Sequence, residues 1–170
     1  MTLPQVFLDR PLAHRGLHGQ GRPENTRAAC VAAIEAGYGI ELDLQLSRDG
    51  VAMVFHDETL DRLTDTTGPV ADRTAAALGQ IRIAGTDQTI PTLADVLDLV
   101  GGAAPLLIEL KDQDGALGDV GGTLEAATAR TLESYNGDVA LMSFNPNSVV
   151  RLAVLAPHIP RGLTTCDFCK

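Results

Sequence analysis

Glu41, Asp43 and His56 are the first residues whose types and spacing could support chemistry. An Asp-Gly pair between two alternating apolar runs is a strong hairpin signal, and Asp49-Gly50 occupies that place here. Counting back from a two-residue loop places Asp43 opposite His56 and Glu41 opposite Glu58, each pair roughly 5 Å apart at Cβ and all on one face. Carboxylates crowded against an imidazole are costly unless a cation or a reaction uses them.

A second segment repeats this pattern. The run 40–46 alternates apolar and polar residues, so Glu41 and Asp43 share one face of a predicted strand. In the run 106–111, Glu109 and Lys111 share the polar face. The simplest interpretation of one polar face is a solvated edge. Two strands with polar faces of this kind, each apolar on the other side, favour a shared site for the three carboxylates.

Charge and hydropathy limit the classes of function. The 170 residues include 22 Asp and Glu against 13 Lys and Arg, which gives a net charge of −9. This balance argues against nonspecific nucleic-acid binding, and a phosphate site would depend on a few local cations or a metal. The sequence has no apolar run approaching ~18 residues and no leader pattern at its start, so we expect a cytoplasmic protein without a transmembrane segment.

The cysteines do not indicate a disulfide framework or a metal site. Their number, three, is odd, and Cys30 lies in an alanine-rich helical run where a core position is expected. Cys166 and Cys169 form a Cys-x-x-Cys pair, but the sequence has no second pair to complete a zinc site.

Strand and helix signals alternate along the chain, which predicts an α/β fold with a parallel sheet. The predicted strands lie at 11–15, 39–47, 106–111, 139–144 and 161–165, and the predicted helices begin near residues 26, 92, 123 and 147. Residues 57–90 are rich in Thr, Asp and Gly and are too long for a simple connection. We expect them to form a small insertion with a short helix at 74–78.

Six short motifs occur in order along the chain. They are His14-Arg15-Gly16, Pro23-Glu24-Asn25-Thr26, Glu41-Leu42-Asp43, His56-Asp57, Pro91-Thr92-Leu93 and Glu109-Leu110-Lys111. Each is weak alone, but together, from about residue 12 to 165, they resemble the glycerophosphodiester phosphodiesterase family of the phospholipase C-like phosphodiesterase superfamily. The resemblance implies a (β/α)8 TIM-type barrel with its site at the carboxyl ends of the strands.

The resemblance also implies a metal-dependent enzyme that hydrolyses small glycerophosphodiesters to glycerol 3-phosphate and an alcohol through a cyclic phosphate. Its implied site residues are one set of ligands for a divalent cation, Ca²⁺ or Mg²⁺ (Glu41, Asp43, Glu109), one acid/base pair (His14, His56) and two phosphate contacts (Arg15, Lys111). These residue types suit the chemistry, because hard cations take carboxylate oxygens and histidine transfers protons at neutral pH. Which histidine acts first as the base stays open.

A complete barrel has eight strands and typically ~250 residues. This sequence predicts five barrel strands, with 51–56 taken as a hairpin arm. We therefore expect an incomplete barrel domain over residues 1–170, carrying the insertion at about 57–90. Missing C-terminal residues or a second chain would cover its edges. Two other functions stay open: an inactive or partner-completed barrel that only binds a phosphorylated ligand, and an enzyme acting on lysophospholipids.

Overall fold

Five parallel strands form a continuous arc in the computed structural model, which describes residues 2–165. In chain order the strands are β1 (Leu12–Ala13), β2 (Gly39–Leu46), β3 (Ala52–Val54), β4 (Leu106–Leu110), β5 (Val139–Ser143) and β6 (Arg161–Leu163). The parallel order is β1-β2-β4-β5-β6, and β3 pairs antiparallel with β2 outside this path. The predicted sequence of parallel barrel strands is confirmed.

Helices occupy each crossover between neighbouring parallel strands, and one further helix precedes β1. The helices are α1 (Val6–Asp9), which comes before β1, and α2 (Arg27–Glu35), α3 (Ala75–Leu78), α4 (Leu93–Val100), α5 (Thr123–Leu132) and α6 (Pro146–Leu155), with a short 3-10 turn at Val70–Asp72. Thr26 and Thr92 cap α2 and α4, because their hydroxyls accept the backbone N–H three residues later. None of the helices within residues 2–165 is long and apolar enough to cross a membrane.

The main core lies between the outer face of the arc and the helices. On β2 and β4 it takes alternate residues that are fully buried, namely Ile40, Leu42, Leu44, Leu106, Ile108 and Leu110. Burying one such side chain stabilises the fold by ~1.5–3 kcal/mol, so a one-residue slip of β2 would be prohibitive. The acidic residues of β2 and β4 are thereby turned to the inner face.

Cys30 belongs to the same core. It is fully buried in α2, as expected, and burial raises the pKa of its thiol to about 12. This thiol therefore stays protonated and packs as a small apolar group. The predictions for Cys166 and Cys169 concern residues outside the described part of the chain.

The hairpin between β2 and β3 has a different register from the predicted one. Its loop contains three residues, 48–50, and closes with Gly50 in the left-handed conformation at φ 78°. Phe55 therefore lies opposite Asp43, and its N–H donates to the Asp43 carbonyl oxygen at 3.0 Å. The predicted Asp43–His56 pair is wrong, because the extra loop residue moves every position of the returning strand by one.

Asp49 shows why the longer loop forms. Its carboxylate accepts a hydrogen bond from the Ser47 hydroxyl at 2.7 Å and another from the backbone N–H of Ala75 at 2.8 Å. Ala75 is the first residue of α3, so the turn is tied to a helix that lies far along the chain. A tertiary contact thus stabilises the three-residue loop.

Segment 57–90 surrounds a small second core. The cluster combines residues of β3 and its continuation with residues of the segment, namely Met53, Phe55, Leu60, Val70, Leu78, Ile83 and Ile90. The short helix expected at 74–78 is α3, whose first turn is capped by the Thr74 hydroxyl. This segment packs against β3 and lies next to the site described below.

Candidate active site

Three carboxylates meet on the inner face at β2 and β4. Asp43 and Glu109 are partners in the parallel register, and Glu41 lies two residues earlier on the same face. All three residues are buried, with 5% of Glu41, 1% of Asp43 and 6% of Glu109 exposed. One oxygen from each carboxylate lies within 4.8 Å of the other two, a convergence found nowhere else within residues 2–165. The residues predicted as metal ligands thus lie together.

Lys111 bridges two of these carboxylates. Its Nζ donates to Asp43 Oδ1 at 2.8 Å and to Glu109 Oε1 at 2.6 Å. Burial alone would lower the pKa of Lys111, but the two hydrogen bonds outweigh it and the pKa is raised. The amine therefore remains a cation at neutral pH beside the carboxylate cluster.

Burial is the main influence on the protonation of Glu41. Burial, followed by repulsion from Asp43, raises the pKa of Glu41 to about 7, although the Arg15 N–H donates to Glu41 Oε2 at 2.9 Å. Repulsion from Glu109 acts in the same direction. The cluster carries more negative charge than its protein donors neutralise, which favours the binding of a hard cation.

Asp43 is held from the other side by the loop after β1. Asn25 Nδ2 donates to Asp43 Oδ2 at 2.8 Å, and Arg15 Nε lies 3.4 Å from the same oxygen. Arg15 and Asn25 both adopt left-handed backbone conformations, with φ of 54° and 55°. Such conformations are costly for residues other than glycine, so the surrounding contacts must hold them.

Gly16 allows this loop to approach α2 closely. Its φ is 73°, and a Cβ built there would lie 2.8 Å from the Cβ of Ala29. The Gly16 N–H also lies 3.2 Å from the carbonyl oxygen of Glu41, which ties the loop to β2. Any larger residue would displace the neighbouring His14 and Arg15, and this explains the glycine of the His-Arg-Gly motif.

His14 follows β1 directly and reaches the carboxylate cluster. Its Nε2 lies 4.0 Å from Glu41 Oε2, and its side chain is 69% exposed. Burial and the positive charge of Arg15 lower the pKa of His14, which favours a neutral ring that can accept a proton. The other two histidines, His18 and His158, are exposed.

His56 lies on the wall of an open cleft of about 460 Å³ that reaches the carboxylate cluster. The cleft is lined by Gln45, His56, Asp57, Glu58, Thr59, Glu109, Lys111, Asp112, Gly115 and Phe144. The Nδ1 atom of His56 lies 2.6 Å from Asp57 Oδ1. The ring of His56 is thus oriented by Asp57 and not by the other predicted site residues, which contact one another around the cluster.

Glu24, Asp57 and Arg62 surround the predicted site, although the sequence patterns assign them no role. Arg62 donates from Nε to Asp57 Oδ2 at 2.6 Å and from Nη2 to Glu24 Oε1 at 2.6 Å. Glu24 Oε1 also accepts from Arg15 Nη1 at 2.8 Å. Glu24 and Asp57 stand inside the six short motifs, and that position was a usable signal. Arg62 lies in segment 57–90 outside those motifs and had no such signal.

An arc of parallel strands with helices outside, and with its polar site at the carboxyl ends of the strands, defines a protein of the TIM-barrel class. Within that class, residues 14–168 match the model of the Glycerophosphoryl diester phosphodiesterase family. The chain belongs to this family.

Relatives and solved structures agree with this assignment. The chain is 38% identical to the uncharacterized protein YqiK of Bacillus subtilis, over 91% of this chain and 66% of the relative. It is 36% identical to a glycerophosphodiester phosphodiesterase of Caldanaerobacter subterraneus, over 89% of this chain and 65% of the relative. The chain therefore spans just under two thirds of the length of these relatives.

Among solved structures, an Oleispira antarctica phosphodiesterase in complex with the product sn-glycerol-3-phosphate superposes with a TM-score of 0.83. The two proteins are 31% identical, and the match covers 94% of this chain and 68% of the other. A glycerophosphodiester phosphodiesterase from Agrobacterium tumefaciens gives a TM-score of 0.76 at 32% identity, over 89% and 65% of the two chains. The barrel fold class expected from the sequence is confirmed.

Proposed function

We propose that this protein hydrolyses glycerophosphodiesters to glycerol 3-phosphate and an alcohol with the help of one divalent cation. The observation that carries the proposal is the buried convergence of Glu41, Asp43 and Glu109 beside two cationic side chains, Arg15 and Lys111. A metal site next to fixed positive charges suits a phosphodiester, whose reaction develops negative charge on the phosphoryl oxygens. The product bound to the Oleispira antarctica phosphodiesterase agrees with this substrate class.

The donor set fits a hard cation. Ca²⁺ and Mg²⁺ prefer oxygen ligands, and Glu41, Asp43 and Glu109 offer three oxygens within 4.8 Å of one another at buried positions. When bound, the ion would neutralise part of the phosphoryl charge and lower the repulsion among the three carboxylates. The choice between Ca²⁺ and Mg²⁺ is left to the experiment.

Arg15 and Lys111 are proposed to bind the phosphate. Arg15 Nε is buried, lies 3.4 Å from Asp43 Oδ2 and makes no hydrogen bond among the described residues, so its N–H could be offered to an anion. Lys111 lines the same cleft as Glu109 and keeps its charge at neutral pH. An unpaired buried donor is costly, and a substrate oxygen would relieve that cost.

His14 and His56 are proposed to move the two protons of the first step. One ring takes the proton from the neighbouring glycerol hydroxyl as its oxygen bonds to phosphorus, and the other protonates the departing alcohol oxygen as its bond to phosphorus breaks. In the second step water opens the resulting cyclic phosphate, and the two rings exchange roles. Asp57 would hold the His56 ring in place through the 2.6 Å contact at Nδ1.

The direct test is hydrolysis of glycerophosphocholine by the purified chain, measured as release of sn-glycerol 3-phosphate with Ca²⁺, with Mg²⁺ and with excess chelator. We expect turnover that depends on the added ion. An equal rate after exhaustive chelation would contradict the metal assignment. Lysophosphatidylcholine is tested in parallel. Faster turnover of this substrate than of glycerophosphocholine would favour the lysophospholipid alternative.

A second candidate, an inactive barrel that only binds a phosphorylated ligand, makes a different prediction. Calorimetry would then detect binding of sn-glycerol 3-phosphate while no ion supports turnover. The open edges of β1 and β6 within the described residues are the observation that keeps this candidate, because each strand pairs on one side only. The incomplete barrel domain over residues 1–170 and its cytoplasmic location stay predictions.

A further inference from the structure

Arg62 connects two loops that carry different parts of the proposed machinery. It lies in the insertion at 57–90, yet its guanidinium reaches Asp57 beside His56 and Glu24 in the loop after β1. Its side chain is 47% exposed, whereas those of Glu24 and Asp57 are 12% and 22% exposed. The proposed function assigns no role to Arg62, because it lines neither the carboxylate cluster nor the cleft.

The contacts of Arg62 use both edges of its guanidinium. Nε and Nη2 donate to the two oxygens of Asp57 at 2.6 and 3.0 Å. Nη2 and Nη1 donate to the two oxygens of Glu24 at 2.6 and 3.1 Å. Two bidentate pairs on one planar group fix the orientation of both carboxylates, which a lysine amine could not do.

Each oriented carboxylate holds one residue of the proposed site. Asp57 Oδ1, which accepts from Arg62, also lies 2.6 Å from Nδ1 of His56. Glu24 Oε1, which accepts from Arg62, also accepts from Nη1 of Arg15 at 2.8 Å. Arg62 thus stands at the centre of a chain of contacts that begins at His56 and ends at Arg15.

We propose that Arg62 is a positioning residue that sets the orientation of His56 through Asp57 and of Arg15 through Glu24. The inference rests on the proposed function for its kinetic consequence and on geometry alone for its effect on the His56 ring. Segment 57–90 then contributes to the site, because its Arg62 links the loop after β1 at Glu24 to the start of the connection after β3 at Asp57.

The kinetic test compares three variants of the full chain in saturating divalent cation. Removing a group that orients a reacting side chain typically costs about 10-fold to 10²-fold in activity, so we expect R62A to lower kcat by that factor. R62K keeps the positive charge but loses the planar guanidinium that forms the two bidentate pairs. We therefore expect it to be nearly as impaired as R62A. R82A removes an exposed arginine of the same insertion, paired with Asp87 at 3.4 Å, and should leave kcat unchanged.

A double-mutant cycle separates a positioning role from a general loss of stability. Because Arg62 acts on His56 through Asp57, adding D57A to R62A should lower kcat by much less than D57A does in the wild-type chain. Full additivity of the two changes would overturn the proposal. Restoration of R62A by free guanidinium in solution, with no effect on R82A, would support it.

An activity-free measurement keeps the inference independent of the proposed function. Nitrogen–proton NMR spectra of the histidine rings report the tautomer and hydrogen bonding of His56. We expect R62A to change the His56 signals and to leave those of His158 unaltered, while R82A changes neither. Unaltered His56 signals in R62A would overturn the inference even for an active enzyme, and altered signals in a chain without turnover would count only against the proposed function.

Discussion

Two groups of charged side chains share Arg15 in this molecule and are neutralised to different extents. In the carboxylate cluster, burial and the neighbouring Asp43 raise the pKa of Glu41 to about 7. In the Arg62 network, burial acts in the same direction on Glu24, but hydrogen bonds from Arg62 and Arg15 outweigh it and lower the pKa of Glu24 to about 2. Two glutamates that both contact Arg15 therefore have pKa values shifted in opposite directions, upward for Glu41 and downward for Glu24.

This difference distinguishes a binding site from a supporting structure. The Arg62 network satisfies its own charges, so it gains nothing from a ligand and serves to orient its members. The carboxylate cluster has three acids and direct donors that leave Glu41 poorly neutralised, so a cation would stabilise it. The contrast supports placing the metal in the cluster and the positioning role in the network.

The largest expected effect comes from breaking the cluster at Asp43. Asp43→Asn keeps the shape of the side chain but removes a ligand charge, so we expect ion-dependent turnover to fall by about 10³-fold, with the fold intact by circular dichroism. Met142→Leu is the matched control, because Met142 pairs with Glu109 on the neighbouring strand and faces the same interior without a charge. We expect that control to stay within about 3-fold of wild type.

Full activity in Asp43→Asn would contradict the assignment of the metal to the carboxylate cluster. The cluster would then be a structural group of buried charges, like the Arg62 network. The same measurement can be repeated with wild-type protein at increasing chelator, and turnover should fall in parallel with the free ion concentration.

The next largest effect is expected at the two proposed acid/base residues, one of which contacts the carboxylate cluster and the other the Arg62 network. His14 lies beside Glu41, and His56 is held by Asp57. We expect His14→Ala and His56→Ala each to lower kcat by about 10²-fold or more, the usual scale for such groups. His158→Ala, at an exposed position, should have no measurable effect. Equal losses in all three variants would contradict both assignments.

Much of the carboxylate cluster could be predicted from the sequence, because strand alternation is a local property. Glu41 and Asp43 alternate with buried leucines, and the hydrophobic core then leaves only one face for them. The helix that begins after Thr92 was equally clear. Its capping box joins Thr92 to Asp95, only three residues later, so the signal for its start is local. Patterns of this kind need no knowledge of distant parts of the chain.

The Arg62 network and the hairpin register could not be predicted in this way. Both depend on contacts across large sequence separations, such as Asp49 with Ala75 and Arg62 with Glu24. An exposed arginine in a loop has no periodic signal, and a three-residue hairpin loop looks like a two-residue loop until the bond to α3 is known. Tertiary hydrogen bonds therefore decided the parts that local patterns missed.

A smaller effect, on stability, sharpens the contrast at Glu41. In chelator, the folded protein holds the Glu41 proton up to about pH 7, whereas an unfolded chain releases it near the ordinary glutamate pKa of 4.5. Stability should therefore fall as the pH rises from about 4.5 to about 7. Glu41→Gln should reduce that fall, measured as Tm against pH. An identical slope in the variant would show that other groups determine it.

The smallest expected effect has the opposite sign and comes from Glu24. Its folded pKa of about 2 lies below the ordinary glutamate pKa of 4.5, so its ionised form stabilises the fold above about pH 4.5. That contribution is lost as the pH falls from about 4.5 towards 2. Glu24→Gln should therefore lower Tm at neutral pH, and the difference from wild type should shrink over this window. Because Arg62 is partly exposed, high salt should also reduce the difference, and a gap that is constant in both pH and salt would mean that packing, not charge, holds Glu24 in place.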